Sequence, residues 1–361
     1  MSLDVTAVGK AILDREDRLA ERITRLQYER QPELQQKFGE IGWIKTKQDT
    51  SYTLKYLAES IHLESPLLFS SYMTWLRVLL QQYQVGTEDL YVNILCFQEV
   101  LRQELDEETY RYATPHLEAA LRQLGSDAEQ QGSYLEESGM AAEATAYTEL
   151  LLEGRRAEAS RLVMDLVDRG VPLQTIYLDI FQQSQYEIGR LWQTGRITVA
   201  QEHYCSAATQ LVMSQLFPYL FNQSRKGLKL VSACVGGELH EIGLRMVTDI
   251  FELNGWDTYY VGANVPARSL IELLKDYKAD VLAISCTMTY HVSLARELIA
   301  AVRQDPDIGG IVVLVGGYPF NTDRELWRAI GADGYGRDAE QSVRVATELT
   351  GRKGRSGACQ A

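Results

Sequence analysis

From Leu228 onward, four short apolar runs alternate with amphipathic segments of helical period. The runs are LKLVSACV (228–235), DTYYVG (257–262), VLAISC (281–286) and IVVLVGG (311–317). This alternation narrows the possible folds more than any other feature of the chain. Short β-rich runs that are apolar nearly throughout are strands buried on both faces. The segments between them, EIGLRMVTDIFELNG, PARSLIELLKDYK and HVSLARELIAAVRQ, supply helices to cover those faces. The reading is an α/β doubly wound domain over 228–352, flavodoxin- or Rossmann-like, with a parallel sheet. Ligands of such domains sit at the carboxyl ends of the strands. Residues 353–361 read as a disordered tail.

Upstream, the pattern is helical throughout, so the chain is multidomain. Residues 140–222 hold four segments divided by Gly or by Gly-Val-Pro, which predicts a four-helix bundle of antiparallel neighbours. Gly195 stops the third helix, and Thr198 with Gln201 makes a capping box for the fourth. Residues 1–135 predict an all-α N-terminal domain. There Asp49 is read as the cap of a helix carrying Tyr52 and Tyr56. Ser65-Pro66 opens a second helix, Thr87 a third and Thr114-Pro115 a fourth. The segment GSDAEQQGS (125–133) is the expected boundary, and NQSRKG (222–227) the link into the α/β domain.

The net charge of −13 argues against broad binding to nucleic-acid phosphates or an anionic membrane. No run of eighteen apolar residues occurs, and the N-terminus lacks an apolar signal core, so a cytoplasmic protein is expected. The five cysteines (96, 205, 234, 286 and 359) show no C-x-x-C spacing and read as thiols of a reducing compartment.

Chemistry enters with VGGELHEIG (235–243), at the end of the first strand. After Gly243, 41 residues lead to Ser285-Cys286-Thr287, and after Thr287 another 28 lead to Gly316-Gly317. Each element ends a predicted strand, so all three line one edge. The pattern resembles the cobalamin-binding signature D-x-H-x-x-G, S-x-L, G-G, with Glu238 in place of Asp and Thr287 in place of Leu. The resemblance implies base-off cobalamin with His240 as lower cobalt ligand and Glu238 orienting it. It also implies Gly243 in the loop, Ser285 and Thr287 at the detached tail, and Gly316 and Gly317 along it. Imidazole suits cobalt, and a ligating histidine needs its second nitrogen held.

WQTGRITVAQEH (192–203) then becomes informative. The W-x9-E-H pattern is similar to the upper-face motif of adenosylcobalamin photoreceptors, the light-responsive regulators of carotenoid synthesis. By that resemblance Trp192 packs against the adenosyl group, Glu202 hydrogen-bonds it, and His203 takes the upper cobalt site after light removes it. Those regulators begin with a DNA-binding domain. Here the acidic N-terminal helices carry no Lys/Arg-rich recognition helix. The segment from Lys45 to Leu80 instead resembles the globin-like module of the photocobilins, which hold biliverdin beside cobalamin. Tyr52 and Tyr56 share one helix face, and Tyr72 and Trp75 another. Aromatic pairs of this kind suit a tetrapyrrole slot, with Lys55 or Arg77 on its propionates. No cysteine lies between residues 40 and 90, so covalent attachment there is not expected.

The sequence therefore points to a light sensor with adenosylcobalamin and biliverdin, without a catalytic domain. It would form a light-dependent homo-oligomer, signal to a downstream partner, and bind neither nucleic acid nor membrane. The alternatives are a corrinoid methyl carrier serving separate methyltransferases and a non-photoactive cobalamin-dependent interaction module.

Overall fold

The computed structural model describes residues 5–126, 132–221 and 224–357. Two compact units result. The first comprises α1 (Val5–Leu13), α2 (Glu16–Arg30), α3 (Glu33–His62), α4 (Pro66–Gln81), α5 (Thr87–Glu104) and α6 (Glu107–Leu124), with the segments Met288–Ser293 and Asn321–Ala329. Leu19, Ile23, Leu57, Phe69, Met73, Ile94, Phe97 and Leu117 form its core.

Two local readings of this unit hold and two do not. Pro66 stands at the first turn of α4, where its missing N–H costs nothing. Ser65 Oγ, free of capping duty, donates to Asp323 Oδ2 at 2.6 Å. Thr87 opens α5, with Gly86 N–H donating to Asp89 Oδ2. Asp49, however, caps nothing. It lies inside α3, which bends at Gly39 (φ 60°) and runs on to His62. Burial there pushes its carboxyl up to about 6. Pro115 likewise sits inside α6, because Asp106 starts that helix by accepting from Thr109 N–H at 2.9 Å.

The second unit begins with a 3₁₀ turn (Tyr134–Glu137) and four bundle elements. These are α7 (Ala141–Leu152), α8 (Arg156–Asp168), a composite helix, and α11 (Val199–Leu216). The composite helix runs α9 (Leu173–Thr175), a π-helical segment (Ile176–Gln182), then α10 (Gln183–Gln193). The sequence predicts a single helix here, and the π-helical segment inside it carries no sequence signal. Gly195 (φ 70°) ends it, and the Thr198–Gln201 capping box opens α11 as expected. Tyr147, Tyr177, Phe181, Val212 and Leu216 fill the bundle core.

The α/β part runs β1 (Lys229–Cys234), α12 (Ile242–Leu253), β2 (Asp257–Gly262), α13 (Ala267–Tyr277), β3 (Val281–Ser285) and α14 (Val292–Gln304). It continues through β4 (Val312–Gly316), α15 (Tyr318–Thr322), α16 (Leu326–Ala329), β5 (Gly334–Tyr335) and α17 (Ala339–Gly357). Strand order is β2-β1-β3-β4-β5, all parallel. The chain thus leaves β1 in one direction and returns on its other side at β3, which makes the β1/β3 carboxyl edge the switch point where such sheets bind ligands. Burial is nearly unbroken along β1, β3 and β4, as expected for strands covered on both faces, but β2, expected to be buried likewise, is the edge strand and mostly only partly buried. The last helix extends to Gly357, so the expected disordered tail is helical over 353–357. Residues 358–361, with Cys359, lie outside the described residues, as do parts of the two expected boundary segments (127–131 and 222–223). Among the described residues, Cys96, Cys205, Cys234 and Cys286 are buried and form no disulfide.

Tyr177 of the π segment donates to Asp249 Oδ2 of α12 at 2.7 Å. Burial pushes the Asp249 carboxyl up to about 6, against the opposing pull of that bond and of Arg245. A folded-state value above the unfolded one gives stability that is complete below about pH 4 and lost as pH rises through about 6. Asp249→Asn keeps an acceptor for Tyr177 and removes the buried charge. At pH 8 it is expected to unfold about 1–3 kcal/mol later than wild type in urea, with the difference gone at pH 4. A constant offset across that range would show that Asp249 titrates normally.

Candidate functional site

The site is assembled at the switch point. Glu238, in the loop after β1, is fully buried. Its Oε1 accepts from His240 Nδ1 at 2.6 Å and from the His240 backbone N–H at 3.0 Å. Its Oε2 accepts the Thr287 N–H at 2.8 Å, from the loop after β3. One carboxylate therefore ties together the two loops that the sheet order brings side by side. Asn264 closes the same loop from β2: its N–H donates to Glu238 O at 3.0 Å, and its Oδ1 accepts from Gly237 N–H at 2.7 Å. Sequence reasoning named Glu238 as orienter of His240 but missed the Thr287 and Asn264 links, which run through backbone amides and leave no residue signature.

The engagement of Nδ1 fixes the His240 ring and leaves Nε2 as the nitrogen able to face a metal. The ring is half-exposed, and its neighbour Leu239 is 71% exposed, an apolar surface beside a ligating nitrogen. The Glu238 hydrogen bond raises the imidazole pKa, burial opposes it, and the charges of Glu238 and Glu202 add to the rise. A Cβ placed on Gly236 or Gly243 would meet no protein atom within 4 Å, so the loop is open around His240. This donor set, one oriented imidazole over an open glycine-lined loop, fits the lower side of a cobalamin. Replacing Glu238 with alanine is expected to weaken cobalamin binding about 10–100-fold, the usual cost of losing the partner of a ligating histidine. Titration by absorbance checks it, and an unchanged affinity would remove Glu238 from the site.

Ser285, Gly316 and Cys234 are in register across β3, β4 and β1, at one level of the edge. Gly317 has φ 108°, and a Cβ there would lie 1.9 Å from Cys286 O. The paired glycines were expected to leave room for a cofactor tail. At Gly317 the protein's own backbone already demands glycine.

On the bundle, Trp192 lies at the end of α10, and Glu202 and His203 in the first turns of α11. His203 Nδ1 sits 2.5 Å from Glu202 Oε2, and its ring is mostly exposed. Ser206 Oγ lies 3.0 Å from Glu202 Oε1 and 2.9 Å from Gln185 Oε1, and its single proton serves one at a time. Gln185 Nε2 donates to Thr209 Oγ1 at 2.9 Å, and Tyr147 Oη donates to the same oxygen at 3.1 Å. Glu202 is thus the outer end of a polar chain rooted in the bundle core. Gln185 and Ser206 were not singled out from sequence, since single polar residues on amphipathic helices carry no signal. Both parts lie within the second unit.

The residues proposed for a tetrapyrrole behave differently. Tyr56 and Tyr72 stack on each other directly, with ring centroids 3.7 Å apart, so no slot opens between them. Tyr72 also shares a hydrogen bond with Thr53 and lies stacked at 6.3 Å from Trp75. Tyr52 is exposed, with Lys55 above its ring and paired with Glu16. Arg77 is buried and donates to Ser126 O.

Residues 228–344 match the family model of the B12 binding domain, and residues 143–216 match a second model of the same description. Dimethylamine corrinoid protein 3 of Methanosarcina mazei is 28% identical over 169 residues, covering 45% of this chain and 98% of the relative. Dimethylamine corrinoid protein 1 of Methanosarcina acetivorans is 27% identical over 169 residues, covering 45% of this chain and 76% of the relative. Among solved structures, the monomethylamine corrinoid protein of Methanosarcina barkeri aligns with a TM-score of 0.49 at 23% identity, over 56% of this chain and 96% of that one. The chain carries B12-binding domains: a helical bundle followed by a five-stranded parallel sheet flanked by helices.

Proposed function

We propose that the second unit holds a cobalamin, fastened from below by His240, and that the chain acts as a corrinoid carrier for separate methyl-transferring partners. The observation that carries the cobalamin reading is the buried Glu238 bound to His240 Nδ1 and to Thr287 N–H. The carrier reading is supported by likeness to the dimethylamine corrinoid proteins. In this reading the chain is not itself an enzyme. Cobalamin supplies the reactive metal–carbon bond, Glu238 holds the imidazole, and the bundle governs access from above.

A second reading is favoured by the Glu202–His203 pair with Trp192. Here the chain is an adenosylcobalamin light sensor, with a globin-like N-terminal domain for biliverdin and a light-dependent homo-oligomer signalling to a partner. The mostly exposed His203, in the first turns of α11, supplies a second imidazole for that reading. No helix of the described residues is long and apolar enough to cross a membrane.

One experiment separates the two readings. Absorption spectra of the adenosylcobalamin-loaded protein are taken before and after green light, beside His203→Ala. A stable two-histidine spectrum in wild type and a water-ligated one in the variant support the sensor. Identical spectra in both, with methyl uptake by the cob(I)alamin form, support the carrier. Biliverdin titration of the same samples gives a red-absorbing band that survives gel filtration if the N-terminal domain binds it, and a flat curve if it does not.

A further inference from the structure

We infer that one side of α3 positions the lower-ligand loop: Tyr56, Glu59 and His62 hold the segment that follows Thr287, and through it the Glu238–His240 pair. The inference rests on the reading that the second unit holds cobalamin. It goes beyond that reading by assigning positioning residues outside the stretches that match B12 binding domains.

The chain changes unit beside a bond of the site. Thr287 belongs to the second unit and gives its N–H to Glu238 Oε2 at 2.8 Å. The next residue, Met288, belongs to the first unit, as does the chain up to Ser293. A trans peptide keeps successive Cα atoms about 3.8 Å apart, so whatever fixes Met288 also restricts Thr287. The loop after β4 behaves likewise. Asn321–Ala329 joins the first unit, where Ser65 Oγ donates to Asp323 Oδ2 at 2.6 Å. Two of the three strand ends that carry the site thus run on into segments of the first unit.

Met288–Ser293 is held at both ends and in its middle by α3. Tyr56 Oη donates to Met288 Sδ at 4.0 Å. The Tyr56 ring meets the Tyr290 ring edge-on, with centroids 5.4 Å apart. Tyr72, stacked on Tyr56, fixes that ring in turn. One turn further along α3, Glu59 Oε1 accepts from Ser293 N–H at 2.8 Å and from Ser293 Oγ at 2.6 Å. His62 Nδ1 lies 3.1 Å from the same hydroxyl. Tyr56, Glu59 and His62 are spaced by three residues and follow one another along the helix. Ser293 stands in the first turn of α14, where backbone N–H groups have no partner inside the helix. Glu59 therefore does from α3 what a local capping residue would do, and the segment between Thr287 and α14 is pinned from α3.

The test is a double-mutant cycle on the full chain. Wild type, Glu59→Ala, Glu59→Gln, Glu238→Ala and the Glu59→Ala/Glu238→Ala double variant are titrated with hydroxocobalamin. Absorbance gives the affinity and the histidine-ligated share of the bound cofactor. Glu59→Ala is expected to weaken binding about 2–30-fold, the range for residues acting through a coupled element, and to lower the histidine-ligated share. Glu59→Gln keeps an acceptor for Ser293 and should behave as wild type. In the Glu238→Ala background, Glu59→Ala should add less than about twofold, because its route to His240 is already cut. Circular-dichroism melting of each apo variant checks folding. Ser293→Ala, which loses only the hydroxyl contacts, takes the place of Glu59→Ala if that chain does not fold. Wild-type affinity and ligation in Glu59→Ala overturn the inference. So does an equal loss in both backgrounds, which would make Glu59 a residue of general stability, and so does a loss in Glu59→Gln as large as in Glu59→Ala. A wild type that does not bind hydroxocobalamin overturns the cobalamin reading itself.

Discussion

Replacing His240 with alanine is expected to abolish the histidine-ligated spectrum of bound cobalamin and to lower affinity by more than the roughly 10–100-fold that loss of a ligand's partner costs. The reason is that the loop commits everything to that one ring. Glu238, fully buried, spends one oxygen on His240 Nδ1 and on its backbone N–H, and the other on Thr287 N–H. Without the imidazole the carboxylate keeps two amide partners, so the fold should survive while the ligand is lost. Apo His240→Ala is therefore expected to melt close to wild type, and the two measurements together separate ligation from folding. Retention of wild-type affinity and spectrum would place the lower ligand elsewhere. The raised imidazole pKa adds a pH signature. Ligation needs the neutral ring, so proton and metal compete, and wild-type affinity should fall as pH drops below the His240 value. The variant should lack that fall.

Gly317→Ala is expected to be the most destabilising single-methyl change in the sheet. The added carbon would lie 1.9 Å from Cys286 O and 2.8 Å from its carbonyl carbon, at a φ of 108° that L-residues rarely adopt. Backbone conformations of that kind cost about 1–3 kcal/mol in a non-glycine residue before any clash is counted. The clash partner is backbone at the end of β3, which cannot move without breaking the Cys286 N–H to Gly316 O bond at 3.1 Å. A total loss above about 4 kcal/mol is expected, in the range reserved for a named steric cause. Urea unfolding of Gly317→Ala beside Gly243→Ala checks it. The second substitution meets no protein atom and should stay within about 1 kcal/mol. Similar losses in the two variants would mean that the strand ends relax freely.

How far the sequence reveals this molecule depends on the range of each signal. The sheet is legible because burial on both faces writes itself as unbroken apolar runs in β1, β3 and β4. His240 is legible because a strand end, a helix start and two later strand ends fix its spacing. Asp49 and Pro115 mislead for one shared reason: each is a strong local start signal outweighed by the packing of a longer helix. The bonds from Glu238 to Thr287 and from Asn264 to the same loop are invisible because backbone amides belong to every residue. Tyr56 and Tyr72 mark helix faces correctly, but a face says nothing about what covers it, and here each covers the other.

The π-helical segment Ile176–Gln182 has a consequence for how α10 is aimed. An α-helix turns about 100° per residue, and a π segment shifts the residues beyond it by roughly one position. Everything downstream in α10 is therefore set in angular phase by a stretch that touches none of it. Gln185, Gly189 and Trp192 present one face together, and the phase of that face is fixed earlier in the helix, where Tyr177 is bonded to Asp249 of α12. The helix works as an indexed shaft. Its indexing point is anchored on the α/β part, and a slip of one residue there would swing Gln185 away from Ser206 and Thr209 by about a quarter turn.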